Sequence, residues 1–146
     1  MEQGLSLKIR NNFDLKEQDL KTYSPLTLAY IGDSIYALVA KSVIVETSNC
    51  PASKLHKETI KYVSAGAQAR IYRYFLDIDI LTDEEADIMR RGRNAKSHSP
   101  AKNASITDYR MATGVEALVG WLYLKEEEDR LLLLLKSGFE YLNGDK

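Results

Sequence analysis

Apolar side chains recur at helical spacing along most of the chain, whereas the alternating pattern of a half-buried strand is scarce. Ser24 followed by Pro25 is a favoured helix start, and Thr82 has Glu85 three positions later, as in a capping box. Gly66 is expected to bend or divide a long helix. The pattern predicts an all-α fold of five to seven helices. The main helices are expected at residues 26–45, 51–75, 82–91, 107–125 and 127–142.

Length and composition favour one soluble globular domain. The chain has 146 residues, of which 45% are hydrophobic and 28% charged, and this is enough for one core. Residues 1–22 are interpreted as an N-terminal arm and residues 23–143 as a single domain. We expect no membrane span, because no run of roughly 18 uncharged apolar residues is evident. The single cysteine, Cys50, excludes an internal disulfide, so a cytoplasmic location is expected.

Charge is distributed unevenly along the chain, although the formal net charge is only −1. Residues 77–87 contain six acids and no base, whereas residues 90–102 contain five Lys or Arg residues, together with His98, and no acid. A polyanion responds to the local field rather than to the average charge. The second segment is therefore predicted to form a basic patch.

Two acids stand out because they lie within apolar helices. Asp33 and Glu116 have no cation three or four positions away, and a buried carboxylate needs a partner or a metal. Gly32, Gly114 and Gly120 lie nearby, and a glycine within a helix indicates close approach of another backbone or a ligand. Either acid could instead be satisfied by a backbone amide or an arginine. Spacing alone does not decide between these interpretations.

The same segments resemble motifs of the ribonuclease III family. Residues 28–34, LAYIGDS, are similar to the signature in which an apolar helix carries Leu-Gly-Asp-Ser. Residues 116–124, EALVGWLYL, are similar to the second catalytic helix of that family, and residues 90–96, RRGRNAK, to a segment of its Mini-ribonuclease III branch. The resemblance spans about residues 22–143 in the same order. It leaves no room for the separate double-stranded-RNA-binding domain of full-length ribonuclease III.

Two acids of the full-length family are replaced in this chain. Ala29 stands where the family has Glu, four positions before Asp33, and Thr113 stands where it has Asp, three positions before Glu116. The Mini branch is expected to share this reduced set. The replacements put in question a two-metal site built as in the larger enzyme, and the number of metals is left open.

The resemblance implies that Asp33 and Glu116 are catalytic and jointly hold Mg²⁺, or Mn²⁺ in its place. The implied reaction is hydrolysis of double-stranded RNA that leaves 5′-phosphate and 3′-hydroxyl ends. Two sites in a twofold homodimer would cut both strands, and Trp121 or its helix is expected in the interface. The implied task is maturation of 23S ribosomal RNA, with precursor ribosomal RNA as substrate. A ribosomal protein or a pre-ribosomal particle is an open further partner.

The basic patch supplies the candidates for RNA contact. Phosphate contacts would position the protein on an A-form duplex, which is recognised mainly by shape and 2′-hydroxyls. A solvated charged loop is the competing interpretation. A second basic group could equally contact RNA or form a solvated surface; it comprises Lys54, His56, Lys57 and Lys61. The predicted RNA-binding residues are Arg90, Arg91, Arg93, Lys96, His98 and Lys102.

Two other functions compete with a nuclease. A non-catalytic helical RNA-binding or ribosome-associated module of the same fold is favoured by the replacement of two family acids by Ala29 and Thr113. Metal-dependent cleavage that Asp33→Asn abolishes would exclude it. A purely structural helical dimer is disfavoured by the uncompensated carboxylates and by the acid-free basic segment.

Overall fold

Every regular element in the described part of the chain is helical. The computed structural model describes residues 3–96 and 105–144, and a short 3-10 turn, Leu20–Thr22, precedes the longest helix. The all-α prediction is confirmed. The α-helices in these residues are α1 (Leu5–Asn12), α2 (Pro25–Thr47), α3 (Ala52–Val63), α4 (Ala65–Asp77), α5 (Asp83–Asn94), α6 (Ile106–Leu124) and α7 (Glu128–Leu142).

Side-chain caps set the starts of α2 and α5. The Ser24 hydroxyl accepts a hydrogen bond from the Thr27 amide at 3.1 Å, and Pro25 occupies the first helical position. At α5, the Thr82 hydroxyl accepts from the Glu85 amide at 3.1 Å, while the Glu85 carboxylate accepts from the Thr82 amide at 2.9 Å. Both predicted helix starts are therefore confirmed.

Two predicted helix breaks differ from the structure. The second predicted helix divides at Ser64, whose hydroxyl accepts from the amide three residues later at 3.2 Å, and Gly66 lies inside α4. Helix α5 continues through Gly92 and ends at Asn94. Gly92 serves packing instead of termination, because a Cβ at this position would lie 2.7 Å from the Cβ of Ala117.

The two longest helices, α2 and α6, pack with their backbones in direct contact. A Cβ on Gly32 would overlap the carbonyl oxygen of Glu116, and a Cβ on Gly120 would overlap that of Leu28. Glycine within a helix costs about 1 kcal/mol relative to alanine, and this close approach accounts for both residues. The predicted reason for the glycines is confirmed. The packing also brings Asp33, the residue after Gly32, to the α2–α6 contact.

The N-terminal arm is attached to the helical domain through the start of α7. The Glu128 carboxylate accepts hydrogen bonds from the amides of Leu5 and Ser6 at 3.1 and 3.2 Å, so it caps the beginning of α1. Arg10, in the last turn of α1, pairs with Glu126. Residues 5–12 therefore pack on the domain as a helix.

Helix α2 is apolar over most of its length. By length and mean hydropathy, Pro25–Thr47 could cross a membrane. Asp33 and Lys41 interrupt it, so the expected lack of a run of roughly 18 uncharged apolar residues holds. A single helix of this kind is weak evidence for a span, since the core helix of a globular protein has the same properties. Here α2 packs against α6 and α3. Only 33% of its most apolar window is buried, however, and considerable apolar surface remains uncovered.

Trp121 lies in the core of the protomer. Its side chain is 6% exposed, belongs to the main apolar cluster and has the Lys125 ammonium 4.4 Å from its ring centroid. Trp121 is thus covered by its own chain and offers little surface to a partner, whereas the expectation that its helix lies in a subunit interface stays a prediction. The exposed apolar side chains of α2 are better placed for such a contact, above all Tyr30, which is 81% exposed.

Candidate active site

Helices α2 and α6 bring Asp33 and Glu116 together. Asp33 is exposed, and its carboxyl group lies within hydrogen-bonding reach of the carboxyl group of Glu116, which is largely buried. The backbone contact at Gly32 explains this proximity, since it places successive turns of the two helices against each other. The two acids singled out in the sequence thus form one site.

Glu116 occupies surroundings that disfavour its ionised form. Burial, followed by the neighbouring Asp33 carboxylate, raises the pKa of Glu116 from 4.5 to about 8. The nearby Tyr36 hydroxyl is already engaged, because it donates to the carbonyl oxygen of Tyr62 at 2.5 Å. Within residues 3–96 and 105–144, neither acid forms an ion pair with a basic side chain. The described part of the protein therefore supplies no basic side chain that would offset the charge of the ionised pair.

The oxygen atoms of this site suit a hydrated divalent cation. Mg²⁺ is commonly held by one or two carboxylates and keeps several of its waters. The described residues contain no group of three or more Asp, Glu, His or Cys side chains that could hold a metal, so Asp33 and Glu116 are the acids available here. Ala29 is buried, and the Thr113 hydroxyl donates to the carbonyl oxygen of Tyr109 at 3.0 Å. The residues present therefore fit Mg²⁺ through two carboxylates.

Gln68, on α4, is a third polar group at the site and was not predicted from the sequence. Its Nε2 donates to a carboxylate oxygen of Glu116 at 3.3 Å and to the carbonyl oxygen of Val63 at 3.1 Å. The side chain is 2% exposed. A sequence signal was present, because Gln68 is the one long polar residue in the small-residue run at positions 65–69. Glu116 stands out in the sequence for the same reason, as a long polar residue among small and apolar ones.

Four of the six predicted RNA contacts fall within the described part of the chain, at the end of α5. They are Arg90, Arg91, Arg93 and Lys96. Three of these side chains are exposed, and Arg93 is half-buried. The other two, His98 and Lys102, lie outside the described residues. The structure therefore locates part of the predicted basic patch.

The end of α5 packs against the α6 turns that carry Glu116. A Cβ on Gly114 would lie 3.3 Å from the backbone nitrogen of Arg93. Burial raises the pKa of Tyr72 on α4, and the nearby charges of Arg93 and Arg90 oppose that rise. Positive charge at the end of α5 thus lies beside α6, which carries Glu116, and beside α4, which carries Gln68.

The basic side chains of α5 do not all face one way. Arg90 pairs with Asp87, one turn earlier. Arg91 is about 200° from Arg93 around the helix, since each residue advances by about 100°. It lines a separate cavity together with Trp121. Of the four described residues of the predicted basic patch, Arg93 and Lys96 are therefore the two that neither pair with an acid nor line that cavity.

Comparison with protein families supports this interpretation of the fold and site. The sequence profile of the Ribonuclease III domain matches residues 26–127, a segment that contains Asp33, Gln68 and Glu116. The fold and the paired carboxylates thus define a ribonuclease III domain.

Individual relatives narrow the assignment. Mini-ribonuclease 3 of Thermoanaerobacter sp. (strain X514) is 45% identical over 146 residues, covering 97% of this chain and 99% of the relative. Mini-ribonuclease 3 of Staphylococcus aureus is 41% identical over 128 residues, covering 88% of this chain and 96% of the relative. The chain therefore belongs to the Mini-ribonuclease 3 family, as the motifs predicted.

A solved structure supports the fold independently. The X-ray crystal structure of a protein from Fusobacterium nucleatum superimposes with a TM-score of 0.74 at 26% identity. The match covers 84% of this chain and 97% of that protein. The helical arrangement is thus shared along nearly the whole of the solved relative.

Proposed function

We propose that this chain is a metal-dependent endoribonuclease that hydrolyses phosphodiester bonds in double-stranded RNA. Membership of the family makes it an endoribonuclease of ribonuclease III type. The observation that carries the metal-dependent mechanism is the pairing of Asp33 with Glu116, two acids close together without a compensating base among the described residues. Such a pair is unfavourable in a purely structural role and suits a cation site.

The two acids have different surroundings and would have different roles. Asp33 and Glu116 would hold Mg²⁺, or Mn²⁺ in its place; when bound, the ion activates water and neutralises charge on the leaving oxygen. Glu116 is largely buried and fixed by the Gln68 amide, so it forms the inner wall of the site. Asp33 is exposed and faces an approaching phosphodiester. The proposed products carry 5′-phosphate and 3′-hydroxyl ends.

The proposed RNA-binding surface begins at the end of α5. Arg93 and Lys96 support it most directly among the described residues, because neither is paired with an acid and α5 packs beside the Glu116 turns. Arg90, Arg91, His98 and Lys102 complete the proposed set. These side chains would bind phosphates and so position the protein on the duplex. The duplex itself would be recognised by its A-form shape.

A homodimer is proposed because each chain has one Asp33/Glu116 site, whereas cutting both strands requires two. Helix α2 carries Asp33 and also exposes large apolar side chains, so a twofold contact through α2 would join two sites in one assembly. The exposed apolar side chains of α2 are Leu26, Tyr30, Leu38, Val43 and Val45.

The proposed biological substrate is precursor 23S ribosomal RNA in the cytoplasm. This proposal rests on the family resemblance, and a ribosomal protein or a pre-ribosomal particle is the accompanying partner proposal. Comparison of 23S precursor ends in cells with and without the protein tests it. Unprocessed ends in the deficient cells are expected, and identical ends in both would refute the assignment.

The enzymatic proposal is tested with purified protein and a plain RNA duplex. Cleavage is expected with Mg²⁺ and not with EDTA, and Asp33→Asn should abolish it while duplex binding in EDTA is retained. Glu46→Gln is the matched control, because it neutralises another exposed acid on α2. Normal turnover by Asp33→Asn, or cleavage in EDTA, would contradict the proposal.

The alternative is a non-catalytic RNA-binding module of the same fold. Its support is the replacement of two family acids by Ala29 and Thr113, which leaves only two carboxylates at the site within the described residues. In that case the duplex would bind without being cut at any Mg²⁺ or Mn²⁺ concentration. Equal affinity of the wild type and Asp33→Asn would accompany this result.

A further inference from the structure

One polar atom beside the acids has no hydrogen-bond partner in the described part of the chain. Gln68 is 2% exposed, and its Oε1 is buried without a hydrogen bond among the described residues. A buried amide oxygen is costly to leave unsatisfied, so an unpaired one in a native structure calls for an explanation. The described residues therefore supply no donor to this oxygen, which belongs to the same amide group as the nitrogen that contacts Glu116.

The orientation of the Gln68 amide is fixed by its neighbours. The carbonyl oxygen of Val63 can only accept a hydrogen bond, so the amide nitrogen must face it, at 3.1 Å. The same nitrogen donates to Glu116 at 3.3 Å. Turning the amide over would place its oxygen against the Val63 carbonyl oxygen, which cannot donate. Oε1 is therefore held beside the Glu116 carboxylate as an acceptor that requires a donor.

We propose that Gln68 is a positioning residue of the metal site: its Nε2 fixes the Glu116 carboxylate, and its Oε1 accepts a hydrogen bond from the hydration shell of the bound cation. This inference rests on the proposed function, because it requires a cation at Asp33 and Glu116. It explains both the unpaired oxygen and the full burial of a long polar side chain. A hydrated cation held by only two acids leaves several waters to be oriented, and the amide oxygen supplies one acceptor for them.

The inference is tested by Mn²⁺ binding, followed by isothermal titration calorimetry and by electron paramagnetic resonance of the free ion. Gln68→Met keeps an unbranched side chain and removes both amide atoms, whereas Gln68→Glu keeps the acceptor and removes the donor. Loss of a group that orients metal ligands typically weakens binding by about 10–100-fold. We expect a loss of this size for Gln68→Met, and a smaller loss for Gln68→Glu, which loses the donor to Glu116 but keeps an acceptor.

Thr59→Val is the matched control, because it removes another buried polar group, on α3, whose hydroxyl donates within its own helix to Leu55 at 2.8 Å. Its Mn²⁺ affinity should equal that of the wild type. Cleavage by Gln68→Met should recover at high Mn²⁺, and its duplex affinity in EDTA should be unchanged. Those two results support a role at the cation, because general damage to the fold would produce neither.

The inference is overturned if Gln68→Met binds Mn²⁺ as tightly as the wild type, or if Gln68→Glu loses as much affinity as Gln68→Met. Gln68→Leu, which also removes both amide atoms, takes the place of Gln68→Met should that variant fail to fold. Glu116→Gln separates this failure from failure of the proposed function. If wild type and Glu116→Gln bind Mn²⁺ equally, the metal site itself is refuted, and the role of Gln68 is refuted with it.

Discussion

Replacing Glu116 by glutamine is expected to stabilise the metal-free protein while abolishing cleavage. Burial and the adjacent Asp33 carboxylate raise the pKa of Glu116 from 4.5 to about 8 in the folded state. The folded protein therefore retains a proton that the unfolded chain releases between these pH values. Its stability must fall as the pH rises through this window. Glutamine does not titrate, and its side-chain oxygen can still accept the hydrogen bond from Gln68.

The size of the effect follows from the two pKa values. At about 1.36 kcal/mol per pKa unit, the raised pKa of Glu116 destabilises the folded state by up to about 5 kcal/mol well above pH 8 and by about 3 kcal/mol at pH 7. Near pH 4.5 the cost falls below about 0.5 kcal/mol. For a domain of this size, about 3 kcal/mol corresponds to a rise in Tm of roughly 6–12 °C.

The assay is thermal unfolding in EDTA at several pH values, followed by far-ultraviolet circular dichroism at equal protein concentrations. Glu140→Gln, an exposed acid on α7, is the control and should change stability by less than about 0.5 kcal/mol. The gain for Glu116→Gln should grow from pH 4.5 to pH 8, and Mg²⁺ should stabilise the wild type alone. A variant no more stable than the wild type at pH 8, or a gain independent of pH, would refute the reasoning.

Three further predictions concern other parts of the molecule. Arg130→Met should destabilise the fold by about 3–5 kcal/mol in urea titrations, because it leaves the buried carboxylate of Glu85 without its partner. Glu85 is 4% exposed and paired with Arg130 at 2.8 Å. Arg130 and the Thr82 amide lower the pKa of Glu85 against the effect of burial, so this loss should shrink as the pH falls through that lowered pKa; a pH-independent loss would contradict the ion pair. Neutralising Arg93 and Lys96 should flatten the dependence of duplex affinity on salt, whereas neutralising the exposed Lys41 and Lys136 should not; equal slopes would show that the basic patch is only solvated. Tyr30→Asp should convert a dimer into a monomer in light scattering, and an unchanged mass would move the interface away from this face of α2.

The helices could be predicted from the sequence because their signals are local. The cap at Ser24 and the capping box at Thr82 act within one turn, and the structure retains both. The observed break lies at Ser64 and not at Gly66, because the serine hydroxyl caps the next helix and the glycine lies within it. Local signals thus predict that a helix forms more accurately than they predict where one helix ends and the next begins.

The site was partly predictable for a different reason. Asp33 and Glu116 stand out because each carboxylate lies among small and apolar residues, and tertiary packing then joins them. The small-residue run around Gln68 marks it as a polar residue on an apolar face, but its place next to Glu116 depends on how α4 packs on α6, which that run does not specify. The burial of Trp121 by its own chain was not predicted for the same reason, since an aromatic side chain suits a core as well as an interface. Packing partners, unlike caps, are not encoded within one turn.

The most direct test of the metal site is a crystal structure of the protein grown or soaked with Mn²⁺, with anomalous diffraction measured at a wavelength suited to the ion. The account predicts one anomalous peak bonded to carboxylate oxygens of both Asp33 and Glu116, at distances typical of oxygen ligands. The same peak should be absent from crystals of Asp33→Asn prepared identically. A peak elsewhere, or none at a Mn²⁺ concentration that supports cleavage, would contradict the assignment of these two residues.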